Sequence, residues 1–126
     1  MKSTRSFDRS PGSVAAARSF ASELLRDANP EVLAVIKLMV SELATNCIRH
    51  TNSRFEVTIV ATPCEIRVLA TDLGTGEPVL RSPMPTDLSG RGLRIVDMLA
   101  TDWGYELSGS GKTVWFALST VSDLNQ

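Results

Sequence analysis

The sequence has little of several things, and each shortage removes a class of function. Of its 126 residues, two are cysteine (Cys47 and Cys64) and one is histidine (His50). With no metal-ligand spacing among them, they give no zinc or iron–sulfur framework. Two isolated cysteines are not a disulfide scaffold either, and both thiols are expected to be reduced. Lys+Arg (13) nearly balances Asp+Glu (14). No basic surplus draws the chain to nucleic acid or to an anionic membrane, so neither is an expected partner. No apolar run approaches the ~20 residues that span a bilayer. The polar start, MKSTRSFDRSPG, lacks the apolar segment of a secretory signal. The expectation is a cytoplasmic protein that recognises its partners at a local site.

What is present suffices for one core. The chain is 43% hydrophobic and 21% charged, a globular composition at single-domain length. Residues 1–126 are read as one domain, with 1–10 and 120–126 as flexible ends. A first helix is expected after Ser13, with Val14, Ala17, Ala21 and Leu24 on its apolar stripe. Asn29, Pro30 and Glu31 form a cap, a first-turn proline and a dipole-matched carboxylate, which predicts a second helix from Pro30 to about Arg49. Phe55, Val57, Ile59 and Ala61 alternate with polar residues, as do Ile66, Val68 and Ala70, so a hairpin follows. Residues 73 to 89 are rich in Gly, Pro and Thr and read as a long loop, a length more often functional than idle in a small domain. A third helix is expected from the stretch GRGLRIVDMLA, then two strands around GSG. This order predicts an α+β fold: a two-layer sandwich with helices on one face of a mixed, mostly antiparallel sheet.

The second helix carries an unusual stripe. Val32, Ile36, Met39, Leu43 and Cys47 cluster on one arc at ~100° per residue. Glu42 borders that arc, Asn46 lies inside it, and His50 lies further in. A polar group there needs partners, since leaving it unsatisfied costs roughly 1–3 kcal/mol. One reading has these residues bonding loop backbone. The other has them lining a pocket, where an amide oxygen suits Mg²⁺ and a carboxylate one turn earlier serves as base. The stripe alone fits both.

Two glycine clusters supply the rest. Asp72, Gly74 and Gly76 follow a predicted strand, and Gly90, Arg91, Gly92 and Leu93 open a helix. Backbone free to approach a ligand at a helix N-terminus suits phosphate. An Asp at a strand end can accept a hydrogen bond from an exocyclic amine. Each cluster alone is ordinary turn chemistry; Glu-x-x-x-Asn, then Asp-x-Gly-x-Gly, then Gly-x-Gly, in that order, is far more specific.

This ordered set resembles the GHKL ATPase superfamily, whose ATP site lies in a Bergerat-type sandwich. Within it, SELATNCIRHT resembles the N-box stretch of bacterial anti-sigma factor serine/threonine kinases. The likeness extends from about residue 13 to 118. It implies that Asp72, with Gly74 and Gly76, binds the adenine, and that Asn46 holds Mg²⁺ on the phosphates of ATP. Residues 77–89 would form a lid, and the backbone around Gly90, Arg91, Gly92 and Leu93 would cradle the triphosphate. Thr113 matches the superfamily's late threonine, Glu42 would be the base toward a partner serine, and Arg18 would bind a partner. His50 would brace the pocket. The implied partners are an anti-anti-sigma factor and a sigma factor, and the implied assembly is a homodimer. The alternative is a module that binds ATP and sequesters its partner without phosphoryl transfer.

One departure and two decoys complete the reading. Leu88 stands near a position that is basic in some kinases of this type, with Arg91 or Arg81 as candidate substitutes. GSGKT at 109–113 is no P-loop, because the required earlier glycine is Glu106 and a strand follows. A histidine kinase of the superfamily needs a helical module with its own phospho-accepting histidine ahead of the domain; none is read here, and His50 lies inside the N box.

Overall fold

The computed structural model describes residues 1–50, 53–72, 100–108 and 111–120. Its elements, in chain order, are β1 (Lys2–Phe7), α1 (Gly12–Leu24), α2 (Pro30–His50), β2 (Phe55–Ala61), β3 (Glu65–Asp72), β4 (Asp102–Ser108) and β5 (Gly111–Ser119). The strands form one sheet in the order β1-β2-β3-β5-β4, with every pairing antiparallel. Two described helices pack with this sheet, which makes the fold the expected α+β sandwich. The expected third helix and the loop before it fall in residues 73–99, outside the described residues.

Helix α2 starts where local chemistry starts it. The Asn29 side-chain oxygen accepts from the Glu31 amide at 2.7 Å and the Val32 amide at 3.4 Å, two donors that a helix start leaves unpaired. From there 21 residues run without an internal Gly or Pro. Ile36, Met39, Val40, Leu43 and Ala44 are buried along it. Fully burying a large apolar side chain contributes roughly 1.5–3 kcal/mol, so this stripe fixes which face of α2 turns inward. Helix α1 begins less conventionally. Ser13, expected as its cap, lies inside the helix and is buried, with its hydroxyl donating to the Asp8 carbonyl at 2.6 Å.

The sheet obeys the period of two. Phe55, Val57, Ile59, Ile66, Val68, Ala70, Val114 and Phe116 are buried in one core with the helix stripes. The alternate residues form the outer face. There Thr4 and Thr58 hydroxyls meet at 2.8 Å, and the Arg67 guanidinium covers the Trp115 ring at 4.7 Å. Gly104 leaves room for that ring, since a Cβ at this position would lie 2.9 Å from Trp115 Cζ2.

One expectation needs correction. Residues 1–10 were expected as a flexible end, yet Lys2–Phe7 is an edge strand in register with β2 from Lys2↔Val60 to Phe7↔Phe55. The physical reason is plain: only Phe7 among these residues is a buried apolar group, so hydrophobic alternation is silent while backbone pairing holds the strand. Phe7 stacks on Phe55 at 5.5 Å and meets Phe20 edge-on at 6.1 Å, which ties β1 to α1.

Candidate functional site

The second half of α2 lies above one end of β3 and β5. Asn46 is buried, 8% exposed, and its amide nitrogen has no hydrogen-bond partner among the described residues. Buried polar groups are almost always satisfied, and an orphan signals either a cost or an absent ligand. Glu42, one turn earlier on α2, is half-buried and thus reachable from solvent.

Asp72 closes β3. Ser53, just ahead of β2, donates to its Oδ1 at 2.8 Å and so holds that oxygen. Strand alternation puts Asp72 on the face of Ala70 and Val68, toward the helices. On β5 the same face carries Val114 and Phe116, both buried, and therefore Lys112. Thr71 pairs with Thr113 in the β3–β5 ladder, so one further step sets Asp72 opposite Lys112.

Electrostatics supports that placement. The Cys47 thiol is pushed up to about 12, first by burial and then by the Asp72 carboxylate, while the Lys112 ammonium pulls it down. Both charges therefore act on one sulfur atom at the inner face of α2. The sign of the consequence follows. A thiol held neutral by the fold adds stability that is present in full below its ordinary value of 9.0 and is lost as pH rises toward about 12. Cys64, in contrast, is exposed, and neither cysteine is in a disulfide. Iodoacetamide at pH 8 should therefore alkylate Cys64 and spare Cys47, because only the thiolate is nucleophilic. Mass spectrometry reads this directly, and equal labelling of the two would contradict the raised value of the half-buried Cys47 thiol.

The sequence-expected residues fall in different places. Glu42 and Asn46 lie one turn apart on α2, and Asp72 ends β3 on the side that faces the helices. Thr113 does not share that side: its hydroxyl meets that of Thr71 at 3.0 Å on the outer side of the sheet, and the β5 residue turned toward Asp72 is Lys112. Gly74, Gly76, Leu88, Gly90, Arg91, Gly92 and Leu93 lie outside the described residues, as does the side chain of His50. Arg18 is half-buried on α1 and donates to the Ser41 hydroxyl of α2 at 3.2 Å, next to Glu42 in the chain. Lys112 and Ser53 were missed as site residues. A lysine in phase with Val114 and Phe116 was the available signal for the first; for Ser53 there was none.

The donor set bears on a metal. No group of three or more His, Cys, Asp or Glu is arranged to hold an ion among the described residues. One buried amide with a carboxylate a turn away instead fits Mg²⁺, which keeps several waters and completes its shell from phosphate oxygens.

The comparisons with known proteins bear on the family and the fold. A family model described as histidine kinase-like ATPase domain matches residues 7–118. No curated protein matches the sequence. Among solved structures, the chain is similar to the crystal structure of the RsbU and RsbW domains of Rv1364c from Mycobacterium tuberculosis, with a TM-score of 0.73 and 16% identity. That match covers 97% of this chain and 34% of the other, so the chain spans about a third of its length. At this identity the likeness is one of fold.

Proposed function

The chain belongs to the histidine kinase-like ATPase domain family, and from that premise we propose that it binds Mg-ATP and transfers the γ-phosphate to a serine of a protein partner. In this reading it is an anti-sigma factor whose substrate is the anti-anti-sigma factor. The carrying observation is the buried Asn46 one turn beyond Glu42, whose amide nitrogen, a donor suited to a phosphate oxygen, has no partner among the described residues. A fold keeps such a group against a cost of roughly 1–3 kcal/mol when a ligand uses it.

Each residue has a role in its own chemistry. Asp72, oriented by Ser53, accepts from the exocyclic amine of the base. The Asn46 oxygen would hold the Mg²⁺ ion, whose contribution when bound is to neutralise charge on the phosphate oxygens. Glu42 takes the proton of the partner serine as its oxygen bonds to the γ-phosphorus and the bond to the ADP oxygen breaks. Positioning and charge supply most of such a transfer. Gly74, Gly76 and the stretch from Gly90 to Leu93 complete the cradle in this reading. Arg18 contributes to a partner surface, and two copies of the chain form a homodimer. Leu88, where some such kinases are basic, favours a second reading in which nucleotide binding serves only to sequester the partner.

Calorimetric titration with ATP and Mg²⁺ on the native chain and on Asn46→Ala tests the first step. The variant should bind about tenfold to hundredfold more weakly. Its ligand-free form should melt no lower than the native chain, since the orphan is gone. Unchanged affinity would remove Asn46 from the site. No heat with the native chain would remove the nucleotide.

A further inference from the structure

Lys112 has no part in the transfer just described, yet the β3–β5 ladder sets it opposite Asp72 on the helix-facing side of the sheet. It is half-buried rather than extended into solvent. Its neighbour Gly111 lets β5 run close along the end of β3: a Cβ there would lie 2.3 Å from the Asp72 carbonyl oxygen. The opposed effects of Asp72 and Lys112 on the Cys47 thiol place both charges within electrostatic reach of one atom.

The chemistry of this pair differs from that of a carboxylate alone. A 6-amino purine presents an N–H donor at position 6 and an acceptor at N1. A 6-oxo purine presents the reverse, an acceptor at O6 and a donor at N1. An ionised carboxylate only accepts, so it pairs with the amine of the first at position 6, but with the second it can pair only with N1–H and leaves O6 without a donor. An ammonium only donates, with three N–H bonds to direct. We propose that Lys112 is a specificity residue that, together with Asp72, lets the site accept 6-oxo purine nucleoside triphosphates as well as ATP. With a 6-oxo base, Lys112 donates to O6 while Asp72 accepts from N1–H. With adenine, Asp72 accepts from the amine and no donation from Lys112 is needed. Ser53 holds one Asp72 oxygen for both. The inference rests on the assignment of Asp72 to the base.

The test measures affinities for ATP and ITP, each with Mg²⁺, on the native chain, Lys112→Met and Lys112→Arg. ITP is chosen because it changes position 6 and N1 without adding the 2-amino group of guanine. The native chain should bind ITP within about tenfold of ATP. Lys112→Met should raise the ATP-to-ITP preference by about tenfold or more, the size of one lost charge-assisted hydrogen bond, and Lys112→Arg should restore it. A native preference for ATP beyond about tenfold overturns the inference. So does a Met variant that weakens both nucleotides equally, which would make Lys112 a general attractor of phosphate. If the native chain binds neither nucleotide, the nucleotide site itself fails, an outcome distinct from the other two.

Discussion

Glu42→Gln is expected to lower phosphoryl transfer to a partner serine by about 10²–10⁴-fold, the usual weight of a positioned general base. Affinity for Mg-ATP should stay within about threefold, because the amide keeps the shape and most of the polarity of the carboxylate. Glu42 sits one helical turn before Asn46 and borders the buried stripe without joining it, half-exposed where Ile36, Met39 and Leu43 are covered. A base must reach both a phosphate held inside and a serine arriving from outside, and the border of the stripe meets both requirements. A purely structural Glu42 would change stability instead. The measurement is radiolabel transfer to the partner protein under single-turnover conditions, with ATP affinity measured in parallel. Undiminished transfer would assign the proton to another group; loss of ATP binding would move Glu42 into the nucleotide contacts.

Much of this arrangement was legible in the sequence because it is written in period and caps. The alternation of Phe55, Val57 and Ile59 against Ile66, Val68 and Ala70 gave the central hairpin, and the observed register pairs those runs as Val57↔Ala70 and Ile59↔Val68. Asn29 gave the start of α2. The intrusion of Asn46 into an apolar arc marked it as a candidate, since a buried amide violates the pattern around it, and Asn46 is indeed buried. Other features left no local mark. Strand β1 is nearly all polar and is defined by its ladder with β2, a non-local pairing that propensity does not encode. Lys112, and not Thr113, shares the face of Asp72 because one step along a strand reverses the face, and that phase is known only once Val114 and Phe116 are seen to be buried. Ser53 reaches Asp72 from 19 residues away, a contact set by the fold of β2 on β3.

The same strand end supports a prediction about stability. Gly111→Ala should destabilise the chain by about 1–3 kcal/mol, the range for forcing extra volume into a packed site. That corresponds to roughly 4 °C of melting temperature per kcal/mol in a domain of this size. The cause is backbone against backbone. An alanine Cβ would stand 2.3 Å from the Asp72 carbonyl oxygen and 3.3 Å from its carbon, and neither atom is the end of a flexible side chain that could swing aside. The strand itself must move, and β5 is an interior strand between β3 and β4, so the displacement is shared by both ladders. Asp72 is the residue displaced, so nucleotide affinity should fall along with stability. Gly12→Ala is the control. A Cβ at Gly12 meets nothing within 4 Å, at the first residue of α1, and alanine there also reduces the entropy of the unfolded chain. This variant should melt at or slightly above the native temperature with ATP binding intact. Thermal melts with and without ATP and Mg²⁺ read both quantities. A Gly111→Ala chain that melts like the native one and binds ATP equally well would mean that β3 and β5 do not meet at Asp72 as described. The juxtaposition of Asp72 with Lys112 would then fail with it.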